Sequence, residues 1–375
     1  MIQRKVDFYR HDLGEAELDS LRETLGTTFL TLGPRVGVFE RRLSEALGVP
    51  HVVGVSSCTL GLHMVLYAFG VGPGDEVITT PMSFISTPNA ALYVGATPVF
   101  ADVDPATGAI DPEDVVRKIT GRTKAILCVH LYGQLCNVRE LRTIADRYGL
   151  LLIEDAAHGF EAERDGLRPG TLGDAAVFSF YATKTLTSGD GGAVATSNPE
   201  LDARLRRLRN HGVSKDAASR YGGAYQHWDM MELGFKGALT DIEASLLLPQ
   251  LDRAEARRAR RQAAVEHYEE RLRGVEGVTL MRREGKSAHH LFPVLVPRGR
   301  REEILVKLGQ AGIGCAINYR AIHTLTYYRE RFRLPEEALP NAAEIGSRTI
   351  SLPLWPGIPP EDVDYVCDRL IEAVA

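Results

Sequence analysis

Short apolar runs alternate with longer amphipathic segments between residues 52 and 196. The apolar runs are rich in Val, Ile, Leu and Ala, a pattern that predicts strands buried on both faces. The amphipathic segments repeat their apolar positions at helical spacing. The predicted strands cover 52–55, 77–79, 98–101, 125–129, 150–153, 175–180 and 192–196, and the predicted helices cover 60–69, 85–92, 112–119 and 138–148. This alternation predicts an α/β fold with a parallel sheet covered by helices on both faces.

The pattern changes after residue 200. Residues 201–209 predict a basic helix, and 211–236 are rich in glycine and aromatic residues without a clear period, which predicts a long functional loop. A long helix is predicted over 239–272, with a bend near Pro249. Arginines recur from 253 to 261 with acidic residues between them, which is typical of a solvated helix face and not of a nucleic-acid site.

Beyond Gly274 the pattern resets to an α+β cap. The predicted strands cover 278–281, 290–296 and 314–319, and the predicted helices cover 301–310 and 360–375. We therefore predict two domains, a large one over residues 1–252 and a small C-terminal one over residues 253–375.

Composition excludes several classes of protein. The chain has 375 residues, of which 44 are basic and 49 acidic, so the formal net charge of −5 argues against binding to a nucleic-acid backbone. The charged N-terminus is followed by no apolar segment, and no apolar run approaches the roughly 18 residues of a membrane span. Five scattered cysteines, without a C-x-x-C pair, predict neither a disulfide scaffold nor a metal site. We expect a cytoplasmic protein that binds neither membranes nor metal.

Two carboxylates close the predicted strand at 150–153. Glu154 and Asp155 are followed by His158 after two alanines. A carboxylate at the C-terminal end of a parallel strand lies where open α/β sheets bind their ligands. Capping of the next helix is an equally good explanation of Asp155 taken alone.

A lysine follows the predicted strand at 175–180. Lys184 lies one short turn beyond Ser179 and precedes a glycine-rich stretch at 189–192. Burial between apolar walls lowers the pKa of a lysine, which makes its amine a good Schiff-base former. A surface lysine on a hairpin loop is the alternative for this position taken alone.

Two further features make pyridoxal phosphate the cofactor that the sequence favours. Residues 57–59, Ser-Cys-Thr, open a predicted helix, and the N–H groups at a helix N-terminus bind phosphate. Phe84 supplies an aromatic ring at a strand-to-helix turn. Asp155 is placed to keep a pyridine nitrogen protonated, and Lys184 supplies the amine.

With these motifs the sequence resembles the DegT/DnrJ/StrS family of sugar aminotransferases, which are fold-type I pyridoxal-phosphate enzymes. The matching segments follow the family order along nearly the whole chain: 32–40, 71–78, 95–103, 129–134, 153–158, 179–192, 209–212, 233–235, 239–242 and 314–323. The resemblance implies an aspartate-aminotransferase-like fold, with a three-layer α/β/α large domain, a mostly parallel sheet and a small C-terminal α+β domain. It also implies a homodimer with its sites at the interface.

The resemblance assigns roles to individual residues of the cofactor site. Lys184 matches the catalytic lysine that holds the cofactor, and Asp155 matches the partner of the pyridine nitrogen. His158 takes the position beside the phenolic oxygen, and Phe84 matches the aromatic residue stacked on the ring. The phosphate-binding positions of the family correspond to Cys58, Thr59 and Ser179.

Substrate contacts are implied less specifically. The motifs of the family place Gly33, Tyr319 and His323 near the sugar, although packing in a core strand explains Tyr319 and His323 equally well. The Asn or Arg that reaches the neighbouring subunit's phosphate in the family has no counterpart here, and Lys236 is the candidate to replace it.

The implied reaction moves an amino group from L-glutamate to a keto group of a nucleotide-linked deoxy-keto-sugar. The cofactor would alternate between pyridoxal phosphate and pyridoxamine phosphate. Rival hypotheses are a cyclitol or aminoshikimate-type substrate, a pyridoxal-phosphate sugar dehydratase, and a non-catalytic regulatory protein. Family dehydratases carry His in place of the lysine, so Lys184 argues against a dehydratase. The nucleotide, amination at C3 or C4, glutamate or glutamine as donor, and the pathway stay open.

Overall fold

A computed structural model describes residues 4–214 and 227–375. In this part of the chain seven strands form one sheet in the order β1-β7-β6-β5-β4-β2-β3. They are β1 (His51–Val55), β2 (Glu76–Thr79), β3 (Thr97–Phe100), β4 (Thr123–Val129), β5 (Leu151–Asp155), β6 (Ala175–Ser179) and β7 (Gly192–Thr196). Every strand is parallel to the others except β7, which runs antiparallel to both of its neighbours. The predicted, mostly parallel sheet is confirmed.

Helices cover both faces of this sheet. They are α1 (Glu15–Leu25), α2 (Pro34–Leu47), α3 (Cys58–Ala68), α4 (Ser86–Tyr93), α5 (Pro112–Lys118), α6 (Val138–Tyr148), α7 (Pro199–Leu208) and α8 (Asp241–Leu272). Successive strand residues point to opposite faces. In β6, Val177 packs with α3, α4 and α7, whereas Ala176 and Phe178 pack with α2 and α8. Helices α5 and α6 cover the same face as α2 farther along the sheet. These layers confirm the three-layer α/β/α expectation.

A smaller antiparallel sheet lies in the C-terminal part, in the order β10-β9-β8. Its strands are β8 (Thr279–Leu280), β9 (Phe292–Leu295) and β10 (Thr349–Leu352), and the helices around it are α9 (Arg301–Gln310), α10 (Thr326–Phe332), α11 (Pro340–Arg348) and α12 (Pro360–Val374). Short 3-10 helices occur at Leu131–Gly133, Ile322–Thr324 and Glu336–Ala338. The α+β character of this part is confirmed.

Helix α8 takes part in both cores. Leu247 packs in the core beneath the large sheet, and Tyr268 packs in the C-terminal core. The helix begins with a capping box in which the Glu243 N–H donates to Thr240 Oγ1 at 3.1 Å. Pro249 lies inside the helix without ending it. The boundary that we predict between residues 252 and 253 falls within α8, and it stays a prediction.

The strand predicted at 314–319 is wrong. This segment makes only isolated bridges, from Ile313 to Val6 and from Ala316 to Ser351. The segment passes between the N-terminal residues and β10. It forms one bridge to each of them, so it is not a continuous strand beside either. Of the loop predicted at 211–236, residues 215–226 lie outside the described residues, and the described parts contain no helix or strand.

We expected the arginines at 253–261 to face solvent, and this expectation is wrong for three of them. Arg257, Arg258 and Arg261 are buried, whereas Arg260 is exposed. The buried guanidinium groups of Arg257 and Arg261 pair with carboxylates far away in the sequence, those of Asp12 and Glu161. Partners at such a separation do not show in the charge pattern of the helix itself.

Among the described residues, none of the helices is both long and apolar enough to cross a membrane. The longest, α8, has 32 residues and is rich in arginine and glutamate.

We expect the change Gly192→Ala to destabilise the junction between β7 and α3. An added Cβ would lie 2.7 Å from the Cys58 nitrogen and 2.8 Å from the Phe178 oxygen, so backbone would have to move. Overpacking of this kind lowers the free energy of unfolding by about 1–3 kcal/mol. The measurement is urea unfolding of the cofactor-free protein. Gly37→Ala in α2, where a Cβ meets no atom within 4 Å, is the matched control and should be neutral or stabilising. Equal stability of the two variants would contradict the prediction.

Candidate active site

A cavity of about 690 Å³ opens at the C-terminal ends of β4, β5 and β6. The register of the sheet brings these ends together, because Val129 of β4 pairs with Asp155 of β5, and Asp155 pairs with Val177 of β6. Eight of the ten predicted site residues line the cavity: Cys58, Thr59, Phe84, Asp155, His158, Ser179, Lys184 and Tyr319. The cavity therefore collects the predicted cofactor residues in one place.

Lys184 lies in the turn that follows β6. Its N–H donates to the Tyr181 carbonyl at 2.8 Å, and Gln250 of α8 holds the end of the turn through Thr187, accepting from its N–H at 3.1 Å and donating to its carbonyl at 2.7 Å. Burial lowers the pKa of Lys184 to about 8, although the negative charge of Asp155 opposes the shift. A substantial fraction of the amine is therefore neutral near physiological pH, as a nucleophile or base requires.

Asp155 is buried at the end of β5 with a donor on each carboxylate oxygen. Thr87 Oγ1 donates to Oδ2 at 2.7 Å, and the Ala157 N–H donates to Oδ1 at 3.1 Å. Burial raises the pKa of Asp155, while these hydrogen bonds and the charge of Lys184 lower it. The carboxylate is thus held in one orientation, facing the cavity.

Sequence reasoning missed the hydroxyl groups behind Asp155. Thr87 and Ser83 are buried, and their oxygens lie 2.8 Å apart. Because the single hydroxyl proton of Thr87 goes to Asp155, the Ser83 hydroxyl must be the donor to Thr87. The signal in the sequence is a pair of hydroxyl residues four positions apart where α4 begins.

His158 is buried as a neutral imidazole. Its Nδ1 accepts from the Tyr132 N–H at 3.3 Å, so the ring proton is on Nε2, which lies 3.1 Å from the Tyr319 hydroxyl. Burial, with the nearby positive charge of Lys184, lowers the pKa of His158 well below its ordinary value. Since His158 donates to Tyr319, the hydroxyl proton of Tyr319 is free to point into the cavity.

The N-terminus of α3 forms an anion site at the cavity wall. Ser57 caps the helix by accepting from the Leu60 N–H at 3.2 Å, and the N–H groups of the first turn have no carbonyl partner within the helix. Thr59 and Ser179 add hydroxyl groups. The Cys58 thiol points away from the helix N-terminus, with Sγ 3.9 Å from Asp155 Oδ1 and 3.7 Å from the Val177 carbonyl oxygen. Burial, together with the negative charge of Asp155, raises its pKa well above the ordinary value.

These donors fit pyridoxal phosphate. A helix N-terminus with hydroxyl groups suits the phosphate, a buried carboxylate suits the pyridine nitrogen, and the Lys184 amine suits the reactive carbon. Phe84 lines the wall with 56% of its surface exposed, and its ring centroid lies 6.4 Å from that of Tyr319. A planar ring therefore has an aromatic surface available beside it.

Gly33, His323 and Lys236 do not line the cavity. The Gly33 N–H donates to Asp241 Oδ2 at 2.6 Å at the start of α2, and a Cβ there would lie 2.4 Å from that of Phe29. His323 is buried, with Nε2 lying 3.3 Å from the Glu336 carbonyl oxygen. Lys236 is exposed. The substrate and cross-subunit roles of these three residues stay predictions.

Comparisons with known proteins identify the family of this chain. A sequence model described as the DegT/DnrJ/EryC1/StrS aminotransferase family matches residues 11–371. The spore coat polysaccharide biosynthesis protein SpsC of Bacillus subtilis (strain 168) is 36% identical over 386 residues, which cover 100% of this chain and 99% of SpsC.

Solved structures match over the same length. The putative sugar aminotransferase Spr1654 from Streptococcus pneumoniae, in its PMP-form, superposes with a TM-score of 0.93 at 29% identity and covers 99% of each chain. Spr1654 has also been solved in a PLP-form. DesI, solved in the presence of its TDP-sugar product, superposes with a TM-score of 0.89 at 32% identity, covering 100% of this chain and 94% of DesI. The chain belongs to the DegT/DnrJ/EryC1/StrS aminotransferase family and is a pyridoxal-phosphate-dependent sugar aminotransferase.

Proposed function

We propose that this enzyme transfers an amino group from L-glutamate to a keto group of a nucleotide-linked deoxy-keto-sugar. The observation that carries the proposal is the pairing of a Lys184 amine of lowered pKa with the buried Asp155 carboxylate in one cavity of about 690 Å³. A cavity of this size admits both a cofactor and part of a sugar. The TDP-sugar product of DesI supports a nucleotide-linked substrate.

Pyridoxal phosphate, when bound, supplies an aldehyde carbon that accepts the amino group of the donor and a ring that withdraws electrons from that carbon. Asp155 would keep the ring nitrogen protonated by accepting its N–H. The N-terminus of α3, with Thr59 and Ser179, would hold the phosphate, and Phe84 would cover one face of the ring. His158 would stand beside the phenolic oxygen.

Lys184 is the proposed catalytic residue. An amine with a pKa of about 8 can act as a base that removes a proton from carbon near neutral pH. Its ammonium form can then act as the acid that returns the proton. It lies in a turn whose end is held by Gln250 through Thr187, so the backbone from which its side chain reaches into the cavity is fixed. One group can therefore carry the proton in both directions.

Tyr319 and Asn318 are the proposed sugar contacts. The Tyr319 hydroxyl has a proton free to donate, because His158 donates to its oxygen. Asn318 also lines the cavity, and its Oδ1 is buried without a hydrogen-bond partner. A donor and an acceptor side by side suit the hydroxyl and keto groups of a sugar.

We further propose a cytoplasmic homodimer. The support for the dimer is the family resemblance and a set of exposed large apolar side chains. Phe84 and Tyr181 line the cavity, and Ile85 and Tyr93 lie at the two ends of α4. Exposed apolar groups of this number around a site are typical of a surface that a partner covers. Lys236 remains the candidate for contact with the neighbouring subunit's phosphate.

The proposed reaction is tested with purified protein and pyridoxal phosphate. We expect the protein to take up the cofactor and turn yellow, and glutamate to bleach that colour. A TDP-linked keto-sugar added afterwards should restore the absorbance and yield the amino sugar by mass spectrometry. Restoration by a keto-cyclitol but by no keto-sugar would contradict the proposed substrate.

The variant Lys184→Ala should lose activity because it lacks the group that moves the proton. We expect kcat to fall about 100-fold or more, the size typical of a lost general base. The absorbance of the cofactor should also change, since the amine no longer reacts with it. Lys124→Ala, which removes an exposed lysine of β4, is the control and should keep both properties. An unchanged spectrum in Lys184→Ala would show that another lysine holds the cofactor.

Thr87→Val should weaken cofactor binding, because the Asp155 oxygen loses a donor while the shape of the side chain is kept. The unsatisfied buried group should also lower the free energy of unfolding by about 1–3 kcal/mol. Thr87→Ser keeps the hydroxyl and serves as the control. Titration of the cofactor by absorbance gives the dissociation constants, and equal values for the two variants would refute the role of this hydrogen bond.

Asp155→Asn should lower the pKa of Lys184 below the value near 8 in the cofactor-free protein. The reason is that the carboxylate's negative charge favours the ammonium form. The neutral amine should then appear at a lower pH, and the midpoint for labelling Lys184 by an amine reagent should shift downwards. Peptide mass spectrometry across pH measures that midpoint. A midpoint that stays or rises would show that Asp155 does not act on Lys184 through its charge.

A further inference from the structure

Tyr132 lies behind the wall of the large cavity, in the short 3-10 turn that follows β4. It is 5% exposed and does not line the cavity itself. Its φ of 60° puts a bulky residue in the left-handed region of the backbone, a conformation that is costly for any residue with a large side chain. Glycine adopts this conformation without that cost. The advantage of a tyrosine at this position therefore lies in its side chain.

The backbone of Tyr132 bonds to two histidines of the site. Its N–H donates to His158 Nδ1 at 3.3 Å, which leaves the ring proton of His158 on Nε2. Its carbonyl accepts from the His290 N–H at 3.2 Å. His290 lines the cavity, and the centroid of its ring lies 4.4 Å from that of His158. The turn at Tyr132 therefore holds both imidazole rings in place.

The side chain of Tyr132 reaches the segment that carries the proposed sugar contacts. Its hydroxyl donates to the Asn318 carbonyl at 2.8 Å. Thr349 Oγ1 donates to the same oxygen at the longer distance of 3.4 Å. Burial raises the pKa of Tyr132, so the hydroxyl keeps its proton for this bond. Because the Asn318 carbonyl belongs to the peptide that leads into Tyr319, the bond fixes the backbone from which both side chains start.

Residues 317–320 depend on this bond. Among the residues that the structure describes, the backbone groups of this stretch make hydrogen bonds only at the Asn318 carbonyl. Backbone bonds to other elements anchor the chain on either side, through the N–H groups of Ala316 and Ile322 at 3.2 and 2.8 Å. Loss of the Tyr132 hydroxyl would therefore loosen the stretch between these two anchors, which carries both proposed sugar contacts.

We propose that Tyr132 is a positioning residue that holds Asn318 and Tyr319 in a fixed place relative to His158. Its backbone bonds to His158 on one side of the cavity, and its hydroxyl bonds to the Asn318 carbonyl on the other. The role rests on the proposed function, in which Asn318 and Tyr319 contact the sugar. Loss of the hydroxyl should therefore impair the reaction with the sugar and spare the reaction with glutamate.

The variant Tyr132→Phe removes the hydroxyl and keeps both the ring and the backbone bond to His158. We expect kcat/KM for a TDP-linked keto-sugar to fall about five- to tenfold, the size typical of one lost buried hydrogen bond. The rate at which glutamate bleaches the cofactor should stay within twofold of wild type. Tyr268→Phe is the matched control, because the buried Tyr268 hydroxyl donates to the Pro353 carbonyl at 2.9 Å away from the cavity. It should leave both half-reactions unchanged.

Hydrogen exchange of the cofactor-loaded protein tests the same bond without any sugar. The bonded N–H groups of Ala316 and Ile322 lie on either side of Asn318, so the peptide that covers residues 314–322 reports on local opening there. In Tyr132→Phe we expect the protected amides of this peptide to exchange about five- to tenfold faster than in wild type. In Tyr268→Phe they should exchange at the wild-type rate. Mass spectrometry of the exchanged peptides gives both rates.

A purely structural tyrosine predicts a different result. It would lower the rates of both half-reactions equally, and that outcome, or unchanged exchange at residues 314–322 in Tyr132→Phe, overturns the proposal. A wild-type enzyme that accepts no keto-sugar contradicts the proposed function instead. The exchange rates then decide by themselves whether Tyr132 holds the segment, so the two failures are seen separately.

Discussion

Asp155 carries its carboxylate at the buried end of β5, where hydrogen bonds and positive charge have to replace water. Thr87 and the Ala157 N–H supply the hydrogen bonds, and Lys184 supplies positive charge across the cavity. Burial acts on both groups in opposite directions, raising the pKa of the acid and lowering that of the amine. Burial therefore brings the pKa values of the acid and the amine closer together than they would be in water.

The register of the sheet brings these groups together. Neighbouring residues of β5 point to opposite faces, so Glu154 turns away from Asp155 and is satisfied by His130 at 2.8 Å and the Gly173 N–H at 2.7 Å. Because β5 and β6 are adjacent and parallel, their carboxyl ends place Asp155 next to the turn that carries Lys184. The antiparallel β7 then returns the chain against the start of α3, where only a glycine fits at position 192. Carboxylate, amine and anion site thus follow from the register of three strands.

The sequence predicts the strands of the large sheet well, and it predicts contacts between polar residues poorly. All seven strands of the large sheet follow from apolar runs. Helices α1, α2, α10 and α11 escaped prediction. In α1 the buried residues are Glu17, Ser20 and Thr24 while Leu18 and Leu25 are exposed, so its apolar positions do not mark its buried face. In α2 the apolar positions do mark the buried face, and the helix was missed all the same. The arginines of α8 were misjudged because the partner of Arg261 lies 100 residues away. Most of the cavity residues could be predicted because they lie where a predicted strand or helix begins or ends. The hydroxyl groups of Ser83 and Thr87 behind Asp155 could not, because only packing places them there.

Helix α8 holds the turn that carries Lys184. Gln250 bonds to both backbone groups of Thr187, which closes the turn of the lysine, and its Oε1 also accepts from Arg257 Nη1 at 3.0 Å. The turn that carries Lys184 and the buried Arg257 are therefore bonded to the same side-chain amide, that of Gln250. Any displacement of α8 would therefore move the turn of the base with it. A transaminase needs its base in a fixed place, because an amino donor and a sugar of very different size have to present their reacting carbons to one amine.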